Sequence, residues 1–153
     1  MPKNITIGIV TTLLIIILLT AFVWPQKKKF SESIGLTIKN QDYYLEVAQT
    51  SSERSNGLSN RDKICPNCGM LFVFNKEGIY PFWMKDTKIP LDMIWLDSNY
   101  KIVKITTVIE TNNSEKSYAN EQPAKYVIEL NANEAFKLDL KIGDTIDIPS
   151  LNE

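Results

Sequence analysis

Histidine is absent from this chain of 153 residues, and cysteine occurs only twice. Without histidine, the chain lacks the base of Ser-His-Asp triads, the most frequent general base and the usual ligand of catalytic zinc. Positive charge is also scarce after the N-terminal segment: from residue 30 onward, 13 Lys and Arg stand against 18 Asp and Glu, a net charge of −5. Nucleic-acid-binding domains instead present a basic face. The composition therefore argues against histidine-based catalysis and against a nucleic-acid partner.

Only one long apolar run is present, at residues 5–24, and it contains no charged residue. At about 1.5 Å of rise per residue, such a helix matches the roughly 30 Å hydrocarbon core of a bilayer. A cleaved secretory signal has a shorter apolar region of about 7–15 residues that ends in a small-residue site. The sequence AFVWPQ at residues 21–26 is a poor site of that kind. The run therefore predicts an uncleaved transmembrane signal-anchor, which makes the membrane a partner of the chain.

Lysines lie on both sides of this run and leave its orientation open. Lys3 and the amino terminus precede it, and residues 27–29 are all Lys. This distribution slightly favours a cytoplasmic domain, although a tail as short as residues 1–4 crosses a membrane easily. We divide the chain into a short tail at residues 1–4, a transmembrane anchor at 5–24, a stalk at 25–33 and a soluble mainly-β domain at 34–149.

Apolar and polar residues alternate through much of the soluble part, which indicates strands with one buried face. Two alternating segments, 34–38 and 43–47, flank a polar turn and predict a hairpin, and residues 69–74 (GMLFVF) form an apolar run of strand length. Thr50 and Asn133 precede two stretches that carry helix-start signals, the first of which ends near Gly57. Ile146 and Ile148 predict a last strand. We therefore predict a mainly β (α+β) fold, a compact antiparallel barrel-like sheet with two short helices, preceded by one N-terminal transmembrane helix.

The most informative stretch is FWMKDTKIPLDMIWLD at residues 82–97, where charged residues alternate closely with large apolar ones. Such charges must reach water or find partners, because an unpaired buried charge is too costly to keep. A rigid polar cluster beside apolar walls is also typical of a small-molecule site. The candidate ligand-binding residues from this stretch are Trp83, Lys85, Asp86 and Asp92.

Asp86 and Asp92 also suggest a hydrolase that uses two carboxylates. Glycosidase carboxyl groups lie roughly 5–9.5 Å apart, whereas six residues of straight strand span about 20 Å. The pair could act together only if residues 88–90 turn the chain back. Alternatively, each acid has a structural partner such as Arg54 or Arg61.

Arg54 and Arg61 complete the set of candidate ligand-binding residues. They are seven positions apart, about two turns of an α-helix, so both can project from one side. Guanidinium groups hold carboxylates in a bidentate manner. The two arginines either clamp an anionic or sugar-like ligand or attach their segment to the sheet through Asp92 or Glu129.

Cys65 and Cys68 are the only cysteines and have CxxC spacing. A redox-active pair of this kind normally lies at a helix N-terminus, which stabilises the thiolate, but this pair precedes an apolar strand. Zinc would need two more ligands from carboxylates or from a second chain, so we predict no metal and no other cofactor. The pair forms either a local structural disulfide on an oxidising side of the membrane or two free thiols on a reducing side.

Five motifs follow one another in a characteristic order: RSNGLSNR at 54–61, GMLFVF at 69–74, the stretch at 82–97, VIEL at 127–130 and Gly-Asp at 143–144. Together they resemble the domain-of-unknown-function 192 family of small prokaryotic proteins, which are often secreted or membrane-tethered. The resemblance covers roughly residues 34–148. It implies a compact, mostly β fold with short helices and implies no established activity.

The chain departs from that family at two places. Family members typically read MKNT where this chain has MKDT at residues 84–87, and they have an Ala-Gly pair where this chain has NAN at 131–133. The first departure adds an acid at the centre of the motif, and the second affects how the last helix is entered. The export signals common in the family favour the outer face of the membrane.

These observations predict a membrane-anchored, extracytoplasmic binding or accessory module for a small polar or anionic ligand or for a protein partner. The charged and aromatic cluster favours this reading because no recognisable nucleophile or base accompanies it. One alternative is a purely structural domain in which the cluster fixes the packing and contacts a partner. The other is a hydrolase that uses Asp86 or Asp92 as acid or base, which requires a carboxyl group of raised pKa in a cleft.

Overall fold

The computed structural model describes residues 32–113 and 115–149. The predicted anchor at 5–24, the tail before it and most of the stalk lie outside the described residues. Among the residues that are described, no helix is both long enough and apolar enough to cross a bilayer.

Eight strands and two short helices make up the described part of the chain. The strands are β1 (Glu32–Ile38), β2 (Gln41–Ala48), β3 (Cys68–Gly78), β4 (Phe82–Trp83), β5 (Leu91–Leu96), β6 (Ile102–Val108), β7 (Ser117–Tyr118) and β8 (Ala124–Asn131). The helices are α1 (Ser51–Asn56) and α2 (Glu134–Lys137). The prediction of a mainly β domain with two short helices is confirmed.

Six of the strands form one sheet in the order β1-β2-β3-β8-β5-β6, while β4 and β7 pair separately. β2 and β3 run parallel, because α1 and the loop after it carry the chain back to the start of the next strand. Within the described residues β1 and β6 remain edges, so the sheet is open. The predicted antiparallel barrel-like sheet is therefore wrong in two respects: one strand pair is parallel, and the sheet does not close.

Both faces of the sheet are covered, and each has its own hydrophobic core. One face, which we call the α2 face, buries Tyr43, Ile94, Ile128 and Ala135. The other, which we call the cleft face, is built around residues such as Phe72, Met93, Trp95 and Val127. Central strand β5 contributes to both cores, and all six of its residues are buried. Its nearly continuous apolar sequence follows from this double burial.

Helix α1 begins and ends where the sequence predicts. Thr50 and Glu53 form a reciprocal capping box, in which the Glu53 amide donates to the Thr50 hydroxyl (3.2 Å) and the Thr50 amide donates to the Glu53 carboxylate (2.9 Å). The chain leaves the helix at Gly57 with φ of 46°, a left-handed value that favours glycine. A Cβ at Gly57 would lie 3.4 Å from the Phe72 ring, so this turn rests directly on the cleft face.

Helix α2 begins differently from the prediction. Asn133 has φ of 72° and makes no side-chain capping bond. Instead, the carboxylate of Asp92 in strand β5 caps the helix, because it accepts a hydrogen bond from the Ala135 amide at 2.7 Å. The predicted last strand does not form within the described residues: Ile146 and Ile148 are buried, and this segment pairs through an isolated bridge between Lys101 and Thr145.

A candidate binding cleft beside helix α1

A cleft of about 330 Å³ opens on the cleft face of the sheet. Helix α1 and the turn after it form one side, and residues 80–83 form the other. Strands β3 and β8 form the floor. The lining combines five aromatic rings, Phe72, Phe74, Tyr80, Phe82 and Trp83, with small neutral polar side chains, one arginine and one carboxylic acid.

The aromatic rings of this lining, which we call the ring wall, hold one another in place. Phe74 and Tyr80 are stacked, with ring centroids 3.5 Å apart, and Phe72 meets Phe82 edge to face at 4.9 Å. Phe82 in turn packs edge to face on the fully buried Trp95, at 5.9 Å. Trp83 is 57% exposed and lies at the rim of the cleft. The inner rings of the ring wall are therefore fixed by their neighbours, and Trp83 is the exposed ring that a ligand can contact.

Glu129 is the acid of the cleft. It lies in β8 opposite Met70 of β3 and Met93 of β5, so its side chain faces the same side of the sheet as theirs. The residue is only 4% exposed. No enclosed side-chain oxygen or nitrogen of the described residues lacks a hydrogen-bond partner, and Glu129 lines the cavity, so we infer that its carboxyl group opens into the cleft.

Burial raises the pKa of Glu129 to about 8, because the ionised form loses its hydration, while the positive charge of Arg61 acts in the opposite direction. No hydrogen bond from a described residue contributes to this shift. At neutral pH the group is therefore mostly the uncharged carboxylic acid. In that form it offers one O–H donor and one carbonyl acceptor to whatever occupies the cleft.

Arg54 projects from α1 into the cleft lining, as the sequence suggested, but its partners are main-chain carbonyls. Its guanidinium donates to the carbonyl of Val73 at 2.9 Å and to that of Gln49, and it lies over the Phe74 ring at 5.0 Å. These contacts attach α1 to strand β3. The predicted attachment of the segment to the sheet is present here, through carbonyl groups and not through Asp92 or Glu129.

Arg61 lies next to the cleft and binds Glu46 of β2. Its second terminal nitrogen donates to the Glu46 carboxylate at 2.8 Å, and the first also contacts that carboxylate, which gives a bidentate pair. The hydrogen bond to Glu46 raises the pKa of Arg61. Arg54 and Arg61 thus do not converge on one point as a clamp.

Lys85 and Asp86 act through their main chains. Both side chains are exposed. The Lys85 carbonyl accepts a hydrogen bond from the Ser59 hydroxyl at 3.2 Å, and the Asp86 carbonyl accepts one from the Asn60 amide at 2.7 Å. Lys85 and Asp86 therefore connect their own turn to the turn that follows α1, and their side-chain charges reach water.

Asp92 lies on the opposite face of the sheet from the cleft. Its carboxylate is fully buried and accepts hydrogen bonds from the Thr107 hydroxyl at 2.6 Å and from the Ala135 amide at 2.7 Å. It therefore connects strands β5 and β6 with helix α2. Because Asp86 is exposed to water and Asp92 is enclosed on the α2 face, the structure does not bring the two acids together as a catalytic pair.

Cys65 and Cys68 are joined by a disulfide, with their Cα atoms 5.0 Å apart. The Asn131 side chain donates to the Cys65 carbonyl at 3.0 Å, which places this loop at the end of β8. Among the described residues, no group of three or more His, Cys, Asp or Glu side chains is arranged to hold a metal ion.

The site therefore contains Arg54 and Trp83 from the sequence-based set, together with residues that sequence reasoning missed. From the sequence, Glu129 is a candidate only as a partner for an arginine, and Phe72, Phe74, Tyr80 and Phe82 carry no separate prediction. A signal for Glu129 was present, since it is the single acid within the apolar segment 126–130. An ionisable residue in the middle of a buried strand needs a partner or an opening, and here it has an opening.

Comparisons with known proteins connect this geometry to a family and to two solved structures. The model of the DUF192 family, described as "Uncharacterized ACR", matches residues 34–148. None of the functionally curated proteins matches the chain.

The first solved structure is of "a putative transcription regulator" from Sinorhizobium meliloti, which is 32% identical, with a TM-score of 0.68 over 76% of this chain and 92% of that one. The second is of a protein of unknown function from Novosphingobium aromaticivorans, which is 27% identical, with a TM-score of 0.69 over 82% of this chain and 91% of that one.

Proposed function

Because this chain belongs to the domain-of-unknown-function 192 family, its function has to be inferred from its own site, and we propose that it is a binding module that holds a small polar ligand in the cleft beside α1. The observation that carries the proposal is the position of Glu129. Its carboxyl group is buried, opens into the cleft and has the ring wall beside it.

The energetics of Glu129 support a ligand. A buried polar group without a compensating hydrogen bond costs about 1–3 kcal/mol, judged from protein mutations. A ligand group that bonds to the carboxyl offsets this cost, and the ring wall supplies apolar contact for the rest of the molecule. The cavity volume of about 330 Å³ lies at the lower end of the range of roughly 300–1,000 Å³ that small-molecule sites occupy.

We also propose that residues 5–24 anchor the domain to a membrane and that the domain lies on the outer face. The uncharged apolar run supports the anchor. The disulfide between Cys65 and Cys68 supports the outer face, because disulfides persist in oxidising compartments. The net charge of −5 from residue 30 onward gives no support for nucleic-acid binding, so we do not extend the regulator name of the Sinorhizobium meliloti protein to this chain.

A second candidate function is acid–base catalysis in the same cleft, with Glu129 as the general acid. The raised pKa of Glu129, about 8, favours it, because a proton donor works best when its pKa lies near the working pH. Hydrolysis by two carboxylates is less well supported, since Glu129 is the only acid lining the cleft among the described residues. We therefore place binding first.

The proposal is tested by NMR titration of the full-length chain, in a detergent without a sugar headgroup, against a panel of uncharged, cationic and anionic ring fragments. We expect at least one fragment to shift the signals of the Trp83 indole and of the Gly57 amide. The substitution Glu129→Ala should weaken the binding of that fragment about tenfold, which corresponds to the loss of one hydrogen bond.

The matched control is Asp86→Asn, which changes an exposed carboxyl outside the cleft and should leave the affinity within about twofold. If no fragment shifts the cleft signals, or if the shifts map to the α2 face, the chain is not a binding module of this kind.

A further inference from the structure

The charges around the cleft restrict what can enter it, and this restriction deepens the function proposed above, on which it rests. Three charged or ionisable side chains matter: Arg54 and Glu129 in the lining and Arg61 next to it. The two arginines are already bound to other groups of the domain, and Glu129 is a buried acid that opens into the cleft. Together, these side chains disfavour both a cationic and an anionic ligand.

A cationic ligand would meet two guanidinium groups. The guanidinium of Arg54 already lies over the Phe74 ring at 5.0 Å and occupies that cation–π position. The charge of Arg61 acts on Glu129. A further positive charge in the cleft is repelled by Arg54, whose partners are uncharged carbonyls, and less by Arg61, whose charge is offset by Glu46. A cation would also have to remove the proton of Glu129 in order to gain an ion pair.

An anionic ligand would meet guanidinium groups that are already hydrogen-bonded within the domain. One terminal nitrogen of Arg54 donates to the carbonyls of both Gln49 and Val73, and the other reaches the Ser51 hydroxyl at 3.4 Å. Arg61 forms its bidentate pair with Glu46. An anion would have to break these internal contacts, and any ionised fraction of Glu129 would repel it.

An uncharged ligand with hydroxyl groups fits the remaining chemistry. A protonated carboxyl donates one hydrogen bond and accepts another, and a hydroxyl does the same. The side chains of Ser55, Asn56 and Ser59 add neutral donors and acceptors along the α1 side. We propose that the cleft selects an uncharged hydroxyl-bearing ring of the pyranose class, with a hydroxyl on Glu129 and a ring face on the ring wall.

The groups that face Glu129 set the pH range of this binding. Arg61 approaches from the segment after α1 together with its partner Glu46 of β2, while Arg54 and the Tyr80 phenol share the cleft lining. Strands β3 and β5 present Met70 and Met93, which do not titrate. Because burial outweighs Arg61 and raises the pKa of Glu129 to about 8, the donor form prevails at neutral pH and is lost above that value.

A charge series on one sugar ring tests the inference. The probes are N-acetylglucosamine, which is uncharged, glucosamine, which is a cation at pH 6, and glucuronate, which is an anion. In NMR titrations of the full-length chain at pH 6, we expect both charged sugars to bind at least about tenfold more weakly than N-acetylglucosamine. Tighter or equal binding of either charged sugar overturns the charge selection, even if the cleft is a binding site.

The affinity measured at two pH values, for the wild type and for two variants, tests the role of Glu129. We expect the affinity for N-acetylglucosamine to fall about tenfold between pH 6 and pH 9, as the carboxyl ionises. Glu129→Gln should abolish this pH dependence, since its amide stays a neutral donor and acceptor throughout, and Glu129→Ala should weaken binding about tenfold at pH 6. A pH dependence that persists in Glu129→Gln contradicts the proposed contact.

The result with uncharged fragments separates the two proposals. If such fragments occupy the cleft but N-acetylglucosamine and glucose do not, the pyranose class is wrong and the binding module stands. If no fragment and no sugar reaches the cleft, both proposals fail.

Discussion

At the scale of single residues, Glu129 shows how burial changes the chemistry of a side chain. The same carboxyl at the surface would be ionised at neutral pH, with an ordinary pKa of 4.5. Inside the cleft, lost hydration outweighs the attraction of Arg61, so the pKa rises to about 8. The neutral acid is then a hydrogen-bond donor, which an exposed glutamate is not at this pH.

This shift predicts how stability depends on pH. Because the folded pKa of Glu129 lies above the unfolded one, the folded chain keeps a proton that the unfolded chain has already lost. Its contribution to the free energy of unfolding is complete below about pH 4.5 and is lost as the pH rises to about 8. Glu129→Gln, which cannot ionise, should therefore be more stable than the wild type by on the order of 3 kcal/mol at pH 7.

Urea unfolding of the full-length chain at pH 4.5 and at pH 7, followed by tryptophan fluorescence, measures this difference. We expect the gap between Glu129→Gln and the wild type to shrink to less than about 1 kcal/mol at the lower pH. Asp147→Asn, at an exposed acid, serves as the control. A gap of the same size at both pH values would mean that Glu129 does not titrate as described.

At the scale of secondary-structure elements, Asp92 joins parts that are distant in the sequence. Its two carboxylate oxygens accept hydrogen bonds from β6 and from the first turn of α2. A helix as short as α2 (Glu134–Lys137) leaves its terminal amides unsatisfied unless another element supplies acceptors. Asp92, which the sequence predicts to bind a ligand, therefore stabilises the fold on the α2 face.

Removal of this carboxylate, Asp92→Ala, should lower the free energy of unfolding by about 2–4 kcal/mol, because it leaves the buried Ala135 amide without an acceptor, removes the hydrogen bond from Thr107 and creates a cavity. Asp92→Asn should cost less, since its amide keeps one acceptor oxygen. Urea unfolding measures both variants, with Asp62→Ala, at an exposed acid, as the control. NMR signals of the cleft should stay in place, and a loss of fragment binding at full stability would show that Asp92 belongs to the site.

Local signals predicted individual elements well. The capping residue Thr50, the turn at Gly57 and the alternation in β2 depend on neighbours within a few positions, and all three appear as expected. The prediction for Asn133 failed because its intended role was taken by Asp92, which is distant in the sequence. The parallel pairing of β2 with β3 depends on a crossover that no local pattern specifies.

At the scale of the whole molecule, the chain combines an apolar N-terminal run with an acidic domain that has a candidate binding cleft on one face of its sheet. The proposed outer-face position requires the disulfide between Cys65 and Cys68 to persist in the cell. Thiol labelling of intact cells with a membrane-impermeant maleimide tests position and redox state together. We expect labelling only after treatment with a membrane-impermeant reductant.

A double variant, Cys65→Ser with Cys68→Ser, provides the blank for this experiment. Labelling that appears only after cell lysis would place the domain inside, and labelling without reductant would show free thiols on the outer face. The labelled chain should also remain with the membrane fraction after an alkaline wash, since an apolar helix of residues 5–24 would span the bilayer.

The sequence by itself determined the first hairpin, helix α1, the absence of histidine chemistry and the family. Only the tertiary structure decided which acid faces the cleft. In the pairing of β5 with β8, Met93 lies opposite Glu129 and Asp92 lies opposite Leu130, so the two acids point to opposite faces. Side chains alternate along a strand, and a slip of one residue would have reversed the outcome. That register is set by packing across the whole sheet, which no short segment of sequence contains.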